Sequence, residues 1–249
     1  MYRTRIIPCL LLRGNGLVKT RKFKDPVYIG DPVNAVRIFS EKEVDEIVVL
    51  DIDASRDGRA PNYELIAEMA GEAFMPMAYG GGVRTLDQIR KLIRSGIEKV
   101  VINTAAVEST DVIRAAADIF GSQAVVGAVD VRKTLLGGYR VVTKSATSEA
   151  RVGLDEHIRN LAEAGAGEIF INSVDRDGMM AGYDIALIRN VTQKVNTPVV
   201  ACGGAGTEEH LREAVREGGA SAVAAGSMFV FHGKHRAVLI NYPKNIESI

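Results

Sequence analysis

The stretch Tyr79-Gly-Gly-Gly-Val-Arg-Thr85 returns 122 residues later as Ala201-Cys-Gly-Gly-Ala-Gly-Thr207. In both places a short apolar run ends in glycines, and a threonine then opens an amphipathic stretch of helix length. That pattern predicts a strand, a tight turn and a capped helix. At the same spacing Gly96 meets Gly218, and the run from Lys99 meets the run from Ser221. At a spacing of 120, Arg56-Asp57-Gly58 meets Arg176-Asp177-Gly178 and Tyr63 meets Tyr183. A period this long is not that of a solenoid. It predicts two (βα)4 halves in tandem, approximately 1–122 and 123–249, with sites that come in pairs.

Outward from the repeat, β-branched runs alternate with helical periods along the whole chain. The predicted strands are Arg5–Leu10, Ile47–Asp51, Pro76–Tyr79, Lys99–Asn103, Ala124–Asp130, Glu168–Asn172, Pro198–Cys202 and Ser221–Ala225. The predicted helices are Pro32–Val44, Tyr63–Glu72, Leu86–Ser95, Asp111–Phe120, Leu154–Ala164, Ile185–Lys194, Glu208–Glu217 and a last one near Lys234–Ile240. Eight strands, each followed by a helix, imply a parallel sheet closed on itself. The fold class is therefore α/β: one (β/α)8 TIM barrel spanning 1–249, of the usual length for that architecture. Arg13–Asp31, basic and glycine-containing, reads as a mobile loop over the catalytic face. Tyr139–Thr143 alternates and reads as part of a small hairpin.

A hydrophobic fraction of 47% supports a sizeable core, and a net charge of zero gives no field that would draw nucleic acid or anionic lipid. No segment approaches the ~20 apolar residues of a membrane helix, so a cytoplasmic protein is expected. Cys9 and Cys202, far apart in apolar runs, read as small buried hydrophobes. His157, His210, His232 and His235 avoid the strand ends and read as surface residues; neither a metal nor a cofactor is expected.

Glycine-rich strand ends followed by helices present backbone N–H groups to an anion. Gly80-Gly-Gly82 and Gly203-Gly204 end strands three and seven, and Asn103-Thr104 and Gly226-Ser227 end strands four and eight. Each half thus offers one candidate phosphate cradle. The plainer reading, that the glycines only permit tight turns, explains one such pair more easily than two.

At these residues the sequence resembles the HisF family, the cyclase subunit of imidazole glycerol phosphate synthase. The matching stretches include Arg5-Ile-Ile-Pro-Cys-Leu10, Gly80-Gly-Gly82, Phe120-Gly-Ser-Gln123, Asp175-Arg-Asp-Gly178 with Gly182-Tyr-Asp184, and Gly203-Gly-Ala-Gly206. The resemblance implies a doubly phosphorylated, ring-opened phosphoribosyl substrate and a reaction with ammonia. The ammonia would come from a HisH-like glutamine amidotransferase docked, as a heterodimer, on the N-terminal end of the barrel. By position it implies phosphate contacts from Gly82, Asn103 and Thr104 in one half and from Asp177, Gly178, Gly204, Gly226 and Ser227 in the other. It places Arg5, Glu46, Lys99 and Glu168 as a charged gate on the barrel floor, with Glu98 and Gln123 as partner contacts. It gives catalytic roles to Asp130 and Lys19.

The chain departs from the family at one position that matters for mechanism. The family divides its acid–base work between aspartates at the ends of strands one and five; Asp130 holds the second position, but Leu11 stands at the first. Leucine cannot transfer a proton, and Asp51 or Asp53 is a candidate substitute. Thr143–Arg151 also departs from the family's glycine-rich stretch. Three readings follow: a cyclase with a relocated acid; a diverged paralogue that delivers ammonia for amidino groups on surface-glycan sugars; and a catalytically silent barrel that activates the glutaminase. A sugar-phosphate isomerase or aldolase would leave the gate unexplained.

Overall fold

In the computed structural model, which describes residues 4–233 and 235–243, the eight apolar runs close into one barrel. Its strands are β1 (Arg5–Arg13), β2 (Ile47–Asp51), β3 (Met77–Gly80), β4 (Lys99–Ile102), β5 (Val125–Lys133), β6 (Glu168–Ser173), β7 (Val199–Cys202) and β8 (Ala222–Ala225). Each is parallel to the next, and β8 returns to β1 with Arg5 opposite Ala222.

Strand side chains alternate between two cores, as a period of two requires. Ile7, Cys9, Val48, Ala78, Val101, Val126, Ala128, Phe170 and Val200 fill the interior of the barrel. Ile6, Leu10, Val49 and Ile102 point outward and pack under helices α1 (Pro32–Glu41), α2 (Tyr63–Glu72), α3 (Leu86–Arg94) and α4 (Asp111–Phe120). The second half is covered by α5 (Leu154–Glu163), α6 (Ile185–Thr192) and α7 (Glu208–Arg216). Thr85 and Thr207, the last residues of the repeated motif, both cap the helix that follows; Thr85 accepts from the Gln88 N–H and Thr207 from that of His210. Gly81 and Gly203 both take positive φ. A Cβ at Gly81 would stand 2.5 Å from the Asp51 carbonyl oxygen, and one at Gly203 would stand 2.8 Å from that of Ser173.

Three expectations are corrected. Arg13–Asp31 is a paired hairpin rather than an open loop: β1 runs on to Arg13, and Gly16–Arg21 and Lys24–Gly30 form two antiparallel arms. Leu17 and Val18 are buried in it, which supplies the apolar anchor a mobile loop lacks. After β8 there is a short helix, Ser227–Val230, and then a small hairpin joining Phe231–His232 to Ala237–Val238, in place of a helix near Lys234–Ile240; Lys234 itself lies outside the described residues. His157 is buried, not superficial, because it lies on the same helical face as Leu154, Ile158 and Leu161. His232 and His235 are exposed. Tyr139–Thr143 does form a hairpin arm, antiparallel to β5.

Among the described residues no helix is long and apolar enough to cross a membrane, and no group of three or more His, Cys, Asp or Glu could hold a metal ion.

Candidate active site

The strand ends open into one mouth. It is lined by residues of both halves, among them Lys19, Gly82, Asn103, Thr104, Asp130, Asp177, Gly178, Gly204, Gly226 and Ser227. The barrel thus brings together every predicted catalytic and phosphate residue.

Asp130 sits at the centre of the polar part. Its Oδ2 accepts from Asn103 Nδ2 at 2.7 Å and its Oδ1 from Asn172 Nδ2 at 3.2 Å. Burial pushes its carboxyl up to about 7, against the lowering effect of the Asn172 amide. It is therefore poised to give or take a proton near neutrality. Asn172 carries no motif and escaped the sequence reading; its position at the end of a predicted strand, beside that of Asp130, was the one available signal. The Oδ1 atoms of Asn103 and Asn172 are buried and have no hydrogen-bond partner.

Lys19 reaches the same mouth from the hairpin. It is buried, and its Nζ donates to the Cys9 carbonyl at 2.6 Å. Burial lowers its pKa, offset in part by Cys9 and Asp177. A Cβ on Gly226 would collide with this ammonium, so Lys19 lies against the second candidate phosphate turn. On the side of the first candidate phosphate turn Lys144 lines the mouth, and its N–H donates to Thr104 Oγ1 at 3.4 Å. This lysine belongs to the segment after β5 that departs from the family, and the sequence reading assigned it no role.

Asp177 differs from the other predicted phosphate residues. Its N–H is donated to the carbonyls of Ser173 and Val174, and its Oδ2 accepts from Thr20 Oγ1 at 2.6 Å and from the Phe23 N–H at 3.2 Å. It anchors the hairpin over the mouth. Gly82 donates its N–H to Ser55 Oγ at 3.2 Å.

Leu11 stands where β1 enters the mouth, opposite Leu50 of β2. Neither candidate substitute is free for it. Asp53 is bridged by Arg13 and Arg56 at 3.0 and 3.1 Å. Asp51 lines the mouth, yet its Oδ1 accepts from the N–H groups of Asp53 and Ala54 and faces Arg59. Both carboxylates are already committed to hydrogen bonds or ion pairs within the fold. Cys9 and Cys202 are free thiols; Cys9 is buried, but Cys202 is only half-buried and faces the mouth.

The opposite end of the barrel carries four charges in a ring. Arg5 contacts Glu46 and, at 2.6 Å, Glu168; Lys99 contacts Glu46 at 2.7 Å and Glu168 at 3.1 Å. Each charge thus touches two of opposite sign. Burial pulls the Arg5 pKa down, but Glu168 and Glu46 more than offset this and hold it above its usual value. Between ring and mouth lies a small cavity lined by Ile7, Val48, Ala78, Val101, Val126, Phe170 and Val200, with Glu46 and Glu168 at its base. Glu98 and Gln123 are exposed on the turns leading into β4 and β5, at this same end. Phe74, on the turn into β3, is exposed beside them at 93%.

Residues 5–236 match the family model described as histidine biosynthesis protein. A Pseudomonas aeruginosa protein, provisionally named as imidazole glycerol phosphate synthase subunit hisF2, is 57% identical over 98% of this chain and 97% of its own length. A Leptospira borgpetersenii protein with a similarly provisional HisF name is 47% identical over 100% of this chain and 98% of its own. The Caulobacter vibrioides imidazole glycerol phosphate synthase subunit HisF is 45% identical over 93% of this chain and 89% of its own.

Proposed function

The chain belongs to the histidine biosynthesis protein family as a HisF-type barrel, and from that premise we propose that it is an ammonia-using synthase subunit acting on a phosphate-bearing substrate. The observation that carries this reading is the alignment of three features along one axis. A charge ring closes the floor, a small apolar cavity lies above it, and Asp130 lies in the mouth beyond.

A ring in which every charge is paired avoids the cost of a lone buried ion. It blocks ions and bulk solvent while a small neutral molecule such as ammonia passes its edge. The glutamine amidotransferase that supplies the ammonia docks on the floor, where Phe74, Glu98 and Gln123 give it an apolar and polar contact surface. In the mouth, the two glycine turns with Lys144 on one side and Lys19 on the other hold a substrate phosphorylated at both ends. Asn103 takes part through its backbone, since its side-chain amide is committed to Asp130. Asp130 relays the proton that ammonia addition and ring closure require, and the protein works in the cytoplasm.

Leu11 favours a second reading, in which the same ammonia route serves another acceptor, such as a sugar that gains an amidino group. One assay separates the two. The purified chain is mixed with the family's ring-opened substrate and excess ammonium salt, which bypasses the glutaminase, and loss of substrate absorbance is followed. Turnover that disappears in Asp130→Asn assigns the family reaction. Absence of turnover with phosphate-sensitive binding intact removes that reaction and leaves the other acceptor.

A further inference from the structure

His210, read from the sequence as a surface residue, is packed behind the second glycine turn. It lies half-buried in the first turn of α7, and its Nδ1 accepts the Gly206 N–H at 3.2 Å. A backbone N–H can only donate, so the ring offers a lone pair there and carries its proton on Nε2. The same ring lies against Gly182, where a Cβ would stand 3.6 Å from its Cδ2 and 3.7 Å from its Nε2. Gly182 in turn donates its N–H to the Gly204 carbonyl at 2.9 Å. One imidazole thus touches the chain on both sides of Gly204.

The first half has the same brace made from a different side chain. At the spacing of 122 that relates the halves, Gly206 corresponds to Arg84 and His210 to Gln88. Gln88 Oε1 accepts the Arg84 N–H at 2.7 Å and the Thr85 N–H at 3.1 Å. Each half therefore places an acceptor three residues after its capping threonine, aimed back at the chain leaving the glycine turn. An amide oxygen and an imidazole nitrogen have the acceptor lone pair in common, and it is the lone pair that both positions use.

The turn needs such a brace. Gly203 and Gly204 both have positive φ, and neither has a side chain to fix it. The loop that carries Gly178 comes so close that a Cβ at Gly206 would stand 2.3 Å from the Met180 carbonyl oxygen. Gly178 and Gly204, the two glycines of the candidate second cradle, are thus tied to one side chain behind the turn. Backbone N–H groups already held in place bind an anion more tightly, because no ordering cost then falls on binding.

We propose that His210 is a positioning residue of the second phosphate cradle, fixing the glycine turn through the Gly206 N–H as Gln88 fixes the first. This rests on the phosphate-bearing substrate of the proposed function and adds the residue that sets affinity at one end of it.

The test follows the backbone N–H groups of Gly82 and Gly204 in the full chain labelled with 15N, as sodium phosphate is titrated at constant ionic strength. In the native chain both are expected to shift saturably. His210→Ala is expected to raise the phosphate concentration for half-saturation at Gly204 about fivefold, the worth of one hydrogen bond, and to leave Gly82 unmoved. His210→Gln keeps an acceptor on the pattern of Gln88 and is expected to bring Gly204 back to within about twofold of the native chain. Thr207 caps α7 through the main-chain N–H of residue 210, so the helix start survives both substitutions. Unchanged half-saturation at Gly204 in His210→Ala, an equal loss at both glycines, or no rescue by Gln overturns the proposal while phosphate binding stands. Silence of both glycines in the native chain removes the phosphate reading, and this brace with it.

Discussion

In the proposed function, Asp130 and Leu11 set the chemistry at the scale of single residues. A carboxyl with a pKa near 7 acts as acid and base in turn, which lessens the need for a second carboxylate at the position of Leu11. Replacing Asp130 by Asn is expected to lower turnover by about 10²–10⁴-fold, the usual worth of a positioned proton relay. The same substitution is expected to stabilise the fold at neutral pH. The folded carboxyl holds its proton more tightly than the unfolded one, so stability falls as pH rises from 3.8 to about 7. Asn escapes that loss, and urea unfolding at pH 7.5 should show a gain of about 1–3 kcal/mol that vanishes below pH 4. His157 behaves in the opposite sense. Burial lowers its pKa to about 4, so the folded state resists protonation and stability is lost as pH falls from 6.5 towards 4. The loss is about 3 kcal/mol, and His157→Leu should flatten that part of the stability profile. An unchanged profile would show that the histidine is not buried in solution.

At the scale of elements, the hairpin after β1 and the turn after β6 fix the shape of the mouth. Lys22 donates its N–H to the Asp177 carbonyl at 2.9 Å, and Thr20 and Phe23 both bond the Asp177 carboxylate. Gly178 follows in the left-handed region, and a Cβ there would collide with the Thr20 carbonyl oxygen. Gly178→Ala is therefore expected to destabilise the chain by about 1–3 kcal/mol and to weaken phosphate binding, read by thermal unfolding with and without phosphate. Retention of both would detach the hairpin from the site. The elements themselves were legible because period-two and period-3.6 patterns alternate cleanly, and the duplicated glycine motif located both turns. The hairpin was hidden by its many lysines and arginines, whose stems and charges mask the burial of Leu17 and Val18. The segment after β8 failed for another reason: its few apolar residues suit a helix as well as the hairpin arms that Phe231 and Val238 form. Asn172 went unassigned because a lone amide at a strand end has no spacing signature, and its role exists only through contact with Asp130.

At the scale of the molecule, the proposed function sets ammonia entry and ammonia use at opposite ends of the barrel. Arg5, Glu46, Lys99 and Glu168 could be assigned to the floor from the family resemblance, while their closure into a four-membered ring needed the folded chain. Lys99→Met breaks two of the four contacts and leaves Glu46 and Glu168 to share Arg5. It is expected to reduce glutamine-driven turnover more than ammonium-driven turnover, compared side by side in the reconstituted complex; an equal reduction would reduce the ring to a structural plug. The most direct measurement of the whole account is isotopic. The chain, with its glutaminase partner, is supplied with the phosphorylated substrate, glutamine labelled with 15N at the amide, and excess unlabelled ammonium in solution. Passage through the barrel predicts a product enriched in 15N despite the unlabelled pool. A product whose label matches the bulk ammonium would contradict it.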